Sequence, residues 1–277
     1  MSSHRERNDR KKPFRGPPRG GASRGSSVDP SGWIWGWHAV EAALDNPDRD
    51  PPTLFLATAE RAEKLAQTHP RLKIEVMENG QIAQRLPPGA AHQGVAMQTP
   101  ALEGVSLEEL ANPASGFLIM LDQLTDPQNV GAIFRSAAAF GARGVILQDR
   151  HAPQIGGALA KAAAGAIEKV PAVRVVNLSR ALDALSEQGW NIVGLSGESD
   201  TPLEQALDHR PAVLVMGSEG EGMRRLVGEH CDVLARIPMP GGFESLNVSA
   251  AAAIALYEAS RKVGAEVTRV IGEQGCL

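Results

Sequence analysis

The chain has 277 residues, of which 43% are hydrophobic and 22% are charged, as in ordinary globular proteins. Its apolar runs are strand-sized and fall well short of the roughly 20 residues that a membrane-spanning helix needs, so no membrane association is predicted. The two cysteines, Cys231 and Cys276, belong to no Cys-x-x-Cys or Cys/His cluster. Neither a disulfide framework nor a metal site is therefore expected, and a cytoplasmic location fits best.

The net charge of -4 conceals a basic N-terminus on an acidic body. Residues 1–27 carry eight Lys or Arg against Glu6 and Asp9, a net charge of +6, which leaves -10 for the remainder. A segment of Arg, Gly, Pro and Ser cannot bury enough apolar surface to fold alone, and such segments commonly bind nucleic acid through phosphate attraction. We predict a disordered basic tail over residues 1–30, which is either an RNA tether or a solubilising extension.

Residues 31–100 are predicted to form a small α/β module. It starts with an alternation of Trp33, Trp35 and Trp37, and a short helical pattern follows over residues 38–44. Periodicity then predicts strands over 54–57, 72–76 and 95–98 and a helix over 60–67. Residues 101–115 contain leucines between acids and an Asn-Pro-Ala-Ser-Gly run, which predicts a linker.

From residue 116 to 277, strand and helix patterns alternate in a second predicted domain. The predicted strands cover residues 117–121, 144–147, 173–176, 192–195, 212–216 and 233–237, and the predicted helices cover 130–140, 155–166, 182–188 and 248–261. This rhythm predicts a mostly parallel sheet covered by helices. Ligands of such sheets bind beyond the carboxyl ends of the strands, so polar residues in those loops are the candidates for a site.

The first such loop follows the strand over residues 117–121. It turns at Asp126-Pro127, and Asn129 is placed to cap the helix that follows. Arg135 lies six positions further on, about 120 degrees from Asn129 around the axis if both are helical. Taken alone, these residues are typical of a helix cap and a solvated surface charge.

The second loop reads Met-Gly-Ser-Glu-Gly-Glu-Gly-Met over residues 216–223. Gly217 and its neighbouring glycines bring backbone N–H groups close to a ligand, because no side chain keeps the ligand away. The spacing fits neither the dinucleotide motif nor the phosphate-binding loop, and Glu219 with Glu221 would repel a phosphate. The loop predicts a ligand with a positive centre, or else a plain glycine turn with two solvated acids.

The third loop joins the strand over 233–237 to the last helix. Ile237, Met239 and Leu246 supply apolar walls, while Ser245 and Asn247 stand at the helix start, where backbone amides are exposed. We predict a small polar pocket there. Single histidines outside any cluster, His38 and His92, are more typical of structural or surface positions.

The three loops, in this order, closely resemble the signature motifs of the SpoU (TrmH) family of RNA ribose 2'-O-methyltransferases, within the SPOUT superfamily. The resemblance implies an α/β fold with a SPOUT-type parallel sheet and a C-terminal trefoil knot, preceded by an L30e-like RNA substrate-binding domain. Strings at residues 36–43 and 92–96 resemble the subgroup that modifies a guanosine in the peptidyl-transferase loop of bacterial 23S rRNA. The Pro-Gly-Gly-Phe-Glu stretch at 240–244 departs from the motif and affects the expected substrate detail rather than the reaction.

The resemblance also implies a set of site residues and partners. The cofactor would be S-adenosyl-L-methionine, no metal would be needed, and the active sites would form at a homodimer interface. The implied catalytic positions are Asn129, Arg135, Glu219, Ser245 and Asn247, and the implied cofactor-binding positions are Leu195, Gly217, Ile237, Met239 and Leu246. Two alternatives stay open: a transfer-RNA 2'-O-methyltransferase and a non-catalytic rRNA-binding or ribosome-assembly protein. A nucleotide-dependent oxidoreductase is disfavoured because the dinucleotide glycine fingerprint is missing.

Overall fold

The computed structural model describes residues 32–102, 104–242 and 245–263, which form two β-sheets with their covering helices. The predicted basic tail over residues 1–30 lies outside the described residues. Among the helices in the described ranges, none is both long enough and apolar enough to cross a membrane.

The first sheet has four strands in the order β1-β4-β2-β3, with β2 and β3 parallel and the other pairs antiparallel. Strand β1 accounts for the alternation of Trp33 and Trp35, because successive side chains of a strand point to opposite faces. Trp33 and Trp35 pack in one buried cluster, whereas Ile34 between them packs in the main core. The elements of this unit are β1 (Trp33–Trp35), α1 (Trp37–Asp45), β2 (Leu54–Ala57), α2 (Ala59–Thr68), β3 (Glu75–Val76), α3 (Asn79–Arg85) and β4 (Val95–Gln98).

The second sheet has six strands in the order β10-β8-β9-β5-β6-β7, and every pair is parallel. The α/β fold with a parallel sheet is therefore confirmed. Its elements are α4 (Leu107–Ala111), β5 (Phe117–Leu121), α5 (Pro127–Phe140), β6 (Val145–Gln148), α6 (Gly157–Ala163), a 3-10 turn (Ala166–Glu168), β7 (Ala172–Val175), α7 (Leu178–Glu187), β8 (Asn191–Leu195), α8 (Leu203–Ala206), β9 (Ala212–Met216), α9 (Arg225–Glu229), β10 (Val233–Ala235) and α10 (Val248–Lys262).

Helices cover both faces of this sheet. Every residue of the central strands β5 and β9 is buried, which explains why these strands read as continuous apolar runs rather than alternating ones. One face packs against α5, α6 and α10, and the other packs against α4 and α7. The carboxyl ends of the strands are left as the edge at which loops can build a site.

Several predicted boundaries needed correction. Helix α7 begins four residues earlier than predicted, at Leu178 with Asn177 as its N-cap, and strand β10 ends at Ala235 rather than at residue 237. Helix α5 begins at Pro127, with Asp126 as its N-cap accepting from the N–H of Gln128 at 3.0 Å, so Asn129 lies inside the helix and does not cap it. Helix α6 ends early because Ala164 and Gly165 adopt left-handed backbone conformations. The predicted strand over 72–76 is reduced to two residues, β3.

Four short helices, α3, α4, α8 and α9, were not predicted. Helix α4 falls inside the predicted linker and is closed at its start by a reciprocal capping box between Ser106 and Glu109. It buries Leu110 and Ala111, and the indole N–H of Trp190 donates to the Ala111 carbonyl at 3.1 Å. This segment thus packs on the second sheet. The domain limits and the role of each domain stay predictions.

The two units are joined by a buried ion pair. The Arg49 guanidinium donates to both carboxylate oxygens of Glu168, at 2.8 and 3.1 Å, and the Asn46 amide donates to the same carboxylate at 2.8 Å. The Arg49 and Glu168 side chains are only 4% and 3% exposed. Because a bidentate pair of this kind fixes orientation as well as distance, it holds the first unit in one position on the second.

Candidate active site

The predicted cofactor-binding residues lie at neighbouring strand ends. Leu195 is the last residue of β8, Gly217 follows β9, and Ile237 and Met239 follow β10. Because β10, β8 and β9 are adjacent in the sheet, these segments leave the sheet side by side. Leu246 lies just before α10 and is 38% exposed. These apolar side chains are partly accessible, in contrast to the buried residues of β9 and the first four residues of β8.

The loop over residues 217–223 folds tightly back on itself. Ser218 and Gly222 exchange two backbone hydrogen bonds of 3.0 Å each. A Cβ at Gly217 would lie 2.1 Å from the Gly222 carbonyl carbon and 2.1 Å from the Met223 nitrogen, so no other residue fits there without moving the loop. Glu219 sits in the turn of this small hairpin.

Three of the five predicted catalytic residues meet through hydrogen bonds. One carboxylate oxygen of Glu219 accepts from the Asn247 amide at 2.7 Å, from the Asn129 amide at 3.3 Å and from the backbone N–H of Val248 at 3.1 Å. The Asn247 amide also donates to the Asn129 side-chain oxygen at 3.1 Å. Residues from α5, the glycine loop and the start of α10 are thereby brought to one point.

The position of Glu219 has an electrostatic reason. Asn247 is the N-cap of α10, and its side-chain oxygen accepts from the N–H groups of Ser249 and Ala250. The first turn of a helix carries a partial positive charge and unpaired N–H groups, which favour a carboxylate. The Glu219 carboxylate is therefore held by the helix end as well as by the two amides.

Arg135 and Ser245 are not joined to this cluster. Arg135 is exposed on α5, and within the described ranges no hydrogen bond or ion pair links it to Asn129, Glu219 or Asn247. The expected angular separation from Asn129 explains this, since both residues belong to α5. Ser245 is exposed in the segment before α10. Their assignment to the site stays a prediction.

A buried polar network beside the site was missed in the sequence. Asp122, fully buried directly after β5, accepts from the Arg224 backbone N–H at 2.9 Å and from its guanidinium at 2.7 and 2.8 Å. The same guanidinium donates to the side-chain oxygen of Gln148, the last residue of β6, at 3.1 Å. Arg224 follows the glycine loop, so the network fixes the end of that loop to β5 and β6. The available signal was an acid at the end of an otherwise apolar strand.

A parallel sheet whose strand ends carry a glycine hairpin and a convergent polar cluster is typical of ligand-binding α/β enzymes. Among the residues the structure describes, no group of three or more His, Cys, Asp or Glu side chains could hold a metal ion.

Comparisons with known proteins identify the class. The SpoU rRNA Methylase family model matches residues 116–257. The chain is 40% identical over 237 residues to the 23S rRNA (guanosine-2'-O-)-methyltransferase RlmB of Escherichia coli K12, covering 83% of this chain and 98% of that one. It is also 40% identical to an uncharacterized tRNA/rRNA methyltransferase of Synechocystis, although it spans only 62% of that protein.

A solved structure has a similar fold. The SpoU methyltransferase AviRb from Streptomyces viridochromogenes, in complex with its cofactor AdoMet, matches with a TM-score of 0.69 and 26% identity, covering 83% of this chain and 89% of that one. The protein therefore belongs to the SpoU rRNA methylase family. The predicted family and the predicted enzyme class, a methyltransferase, are confirmed.

Proposed function

We propose that the protein transfers a methyl group from S-adenosyl-L-methionine to the ribose 2'-oxygen of a guanosine in the peptidyl-transferase loop of 23S rRNA. The observation that carries this proposal is the meeting of Asn129, Glu219 and Asn247 at the strand ends, next to accessible apolar side chains. The 40% identity to a 23S rRNA guanosine 2'-O-methyltransferase over nearly its whole length supports the choice of substrate.

The residues at the strand ends fit the cofactor chemically. Leu195, Ile237 and Leu246 offer accessible apolar surface for an adenine ring and a thioether, and the close turn after Gly217 presents backbone rather than side chains. Met239, beyond β10, adds a further partly buried wall. When bound, the cofactor supplies an electrophilic methyl group.

The polar cluster would act mainly by placement. Holding a ribose hydroxyl about 3 Å from its target in the right direction accounts for much of the rate of a displacement reaction. Glu219 fixes the amides of Asn129 and Asn247, and these amides with the nearby Ser245 hydroxyl would orient the ribose. Glu219 is thus a positioning residue, whereas the amides and the hydroxyl would contact the substrate.

Arg135 would complete the site from a second copy of the chain. Its guanidinium is effectively always protonated, so it is better suited to bind a phosphate and stabilise the developing alkoxide than to accept a proton. It is exposed on α5 and separate from the cluster of its own chain. A homodimer that brings α5 of one protomer beside the cluster of the other would resolve this separation.

An exposed apolar stripe on α10 supports the homodimer. Ile254 and Tyr257 are 41% and 50% exposed, and the Tyr257 ring packs edge-on against Phe140 of α5 at a centroid distance of 5.7 Å. The two exposed apolar side chains of α10, beside the partly buried Phe140 of α5, form an apolar surface that a second copy of the chain could cover. The surface lies on the helices that carry Arg135 and Asn247, which joins dimer formation to the completion of the site.

Four further predictions belong to the same proposal. Residues 31–100 would be an L30e-like domain that recognises the RNA substrate, and residues 101–115 would connect it to the methyltransferase domain at 116–277. The C-terminal part of the chain would form the trefoil knot of the family. The basic tail would tether RNA through its phosphates. The protein would act in the cytoplasm.

In the decisive experiment, the full-length protein is incubated with labelled S-adenosyl-L-methionine and either unmodified 23S rRNA or transfer RNA. The position of the 2'-O-methyl group is then mapped. A single labelled guanosine in the peptidyl-transferase loop is expected. Label only in transfer RNA would favour the rival enzyme, and label in neither RNA would favour the non-catalytic protein.

Subunit mixing tests the role of Arg135. Arg135→Ala and Asn247→Ala should each lose activity, whereas co-refolded mixtures should recover part of it, because a mixed dimer contains one site with both residues intact. Arg135→Lys tests the guanidinium fork and should stay well below wild type. Full activity of Arg135→Lys would contradict the bidentate role, and mixed dimers without recovery would show that Arg135 acts within its own chain.

A further inference from the structure

An open cleft of ≈ 360 Å³ lies in the first unit and contains none of the predicted site residues. It is formed by residues 90–94, the start of α2 and the start of α3. Its walls are mostly polar and include Thr58, Arg61, Asn79, His92 and Gln93. Small-ligand sites of this volume are usually lined mostly by apolar side chains, so a cleft with polar walls suits a polar ligand.

Arg61 presents a flat cationic surface to this cleft. Its guanidinium carbon lies 4.6 Å from the centroid of the Trp37 ring, and its Nε donates to the Gln93 carbonyl at 3.3 Å. Arg61 lines the cleft and Trp37 does not, so the indole holds the guanidinium from outside the cleft. Guanidinium planes held in this way are surfaces on which unpaired RNA bases stack.

The cleft offers donors from His92 and Gln93 beside one acid, Glu60, whose carboxylate is paired with Lys64 at 2.9 Å. The Nδ1 of His92 accepts from the Gly94 N–H at 3.2 Å, so the neutral imidazole carries its proton on Nε2. Burial lowers the pKa of His92, which favours this neutral form. The side-chain oxygen of Gln93 accepts from the backbone N–H of Trp37 at 3.1 Å and from the Lys161 ammonium. The two hydrogens of the Gln93 side-chain amide are therefore left as donors.

The cleft is fixed to the methyltransferase half. Lys161, which holds Gln93, belongs to α6 of the second unit. Helix α6 in turn packs so closely on α5 at Gly131 that a Cβ added there would lie 2.5 Å from the Ala162 side chain. Asn129 lies on the same α5. A ligand in the cleft would therefore stand at a set distance from the candidate active site.

We propose that this cleft binds an unpaired nucleobase of the RNA substrate, stacked on Arg61 and read on its acceptor edge by His92 and Gln93. The inference rests on the proposed RNA methylation and adds a recognition site apart from the methylated ribose. Donors on the protein select a base edge with carbonyl oxygens or unprotonated ring nitrogens, as guanine presents at O6 and N7. The cleft would thus help to choose which ribose reaches the active site.

The test compares Arg61→Lys and His92→Ala with a matched control, Arg85→Lys, which changes an exposed arginine of α3 in the same unit. The equilibrium Kd of each full-length protein for a transcript of the peptidyl-transferase loop region is measured by fluorescence anisotropy without cofactor. Loss of a stacking or base-edge contact should raise this Kd about tenfold. The control should stay within about twofold, and KM for the same RNA should follow Kd while kcat is retained.

The same design separates a base from a phosphate. With Arg61→Ala measured across salt concentrations, loss of a phosphate contact would flatten the salt dependence of Kd by about one counterion, whereas loss of a stacked base would raise Kd at every salt concentration with little change in that slope. An unchanged Kd for both cleft variants, with unchanged melting temperatures, would overturn the proposal. A wild-type protein that binds the transcript but does not methylate it would instead overturn the proposed function, and the variant Kd values would still decide the role of the cleft.

Discussion

Replacing Arg224 should loosen the glycine loop from the sheet and destabilise the protein. The Asp122 carboxylate is fully buried and accepts from the Arg224 backbone N–H and from its guanidinium. Arg224→Ala keeps the backbone donor and removes the guanidinium contacts, including the 3.1 Å bond to Gln148. Breaking a fully buried pair from one side costs about 3–5 kcal/mol, and because the Arg224 side chain is 38% exposed, solvent screening reduces the expected cost to about 2–3 kcal/mol.

The neighbouring arginine supplies the control. Arg225 is 78% exposed, and its one ion pair within the described part of the chain is with Glu229, one helical turn away. Exposed pairs of this type contribute about 0.3–0.5 kcal/mol, so Arg225→Ala should change the free energy of unfolding by no more than that. Urea denaturation of the two variants measures the difference, and calorimetry measures the Kd for S-adenosyl-L-methionine, which should rise for Arg224→Ala alone. If Arg224→Ala were no less stable than Arg225→Ala and bound the cofactor normally, the network would not be holding the loop.

Three further outcomes follow from local geometry. Gly217→Ala should weaken cofactor binding at least tenfold by calorimetry, because its Cβ would overlap the backbone of the same loop, whereas Gly241→Ala, which meets nothing within 4 Å, should bind normally. Arg49→Met should lower the free energy of unfolding in urea by about 3 kcal/mol, because its buried carboxylate partner loses its counter-charge. Burial raises the pKa of the Cys231 thiol to about 12. In a Cys276→Ser background, the thiolate absorbance of the folded protein should therefore not develop near pH 9. The stabilising contribution of the protonated thiol is complete below pH 9.0 and is lost as the pH rises toward 12.

The sequence predicted best where burial alone decides the residue types. Strands β5 and β9 were placed with their observed bounds because each is an unbroken apolar run inside a parallel sheet. Helix starts were harder, since both Asp126 and Asn129 are good capping residues and only the observed bond from the Gln128 N–H to Asp126 decides between them. Short helices such as α8 and α9 carry too few turns to show a helical period.

The candidate site was predictable by residue type and loop, but its internal bonding was not. The bond from Asn129 to Glu219 joins residues 90 apart in the chain, and it exists because β9 is inserted next to β5 in the sheet. Periodicity along the chain carries no information about that strand order. The contact between Asp122 and Arg224, which are 102 residues apart, could not be predicted from the sequence because it too depends on the strand order.

The two ends of the Asn247 side chain show why the site and the last helix form together. Its oxygen closes the first turn of α10 by accepting from the N–H groups of Ser249 and Ala250, while its amide donates to Glu219 and Asn129. An aspartate would cap the helix equally well but could not donate, and it would place a second carboxylate beside Glu219. The helix alone does not explain asparagine at this position. The choice of asparagine follows from the need for one residue to cap the start of a helix and to hold a carboxylate, and this joins the docking of α10 to the assembly of the candidate active site.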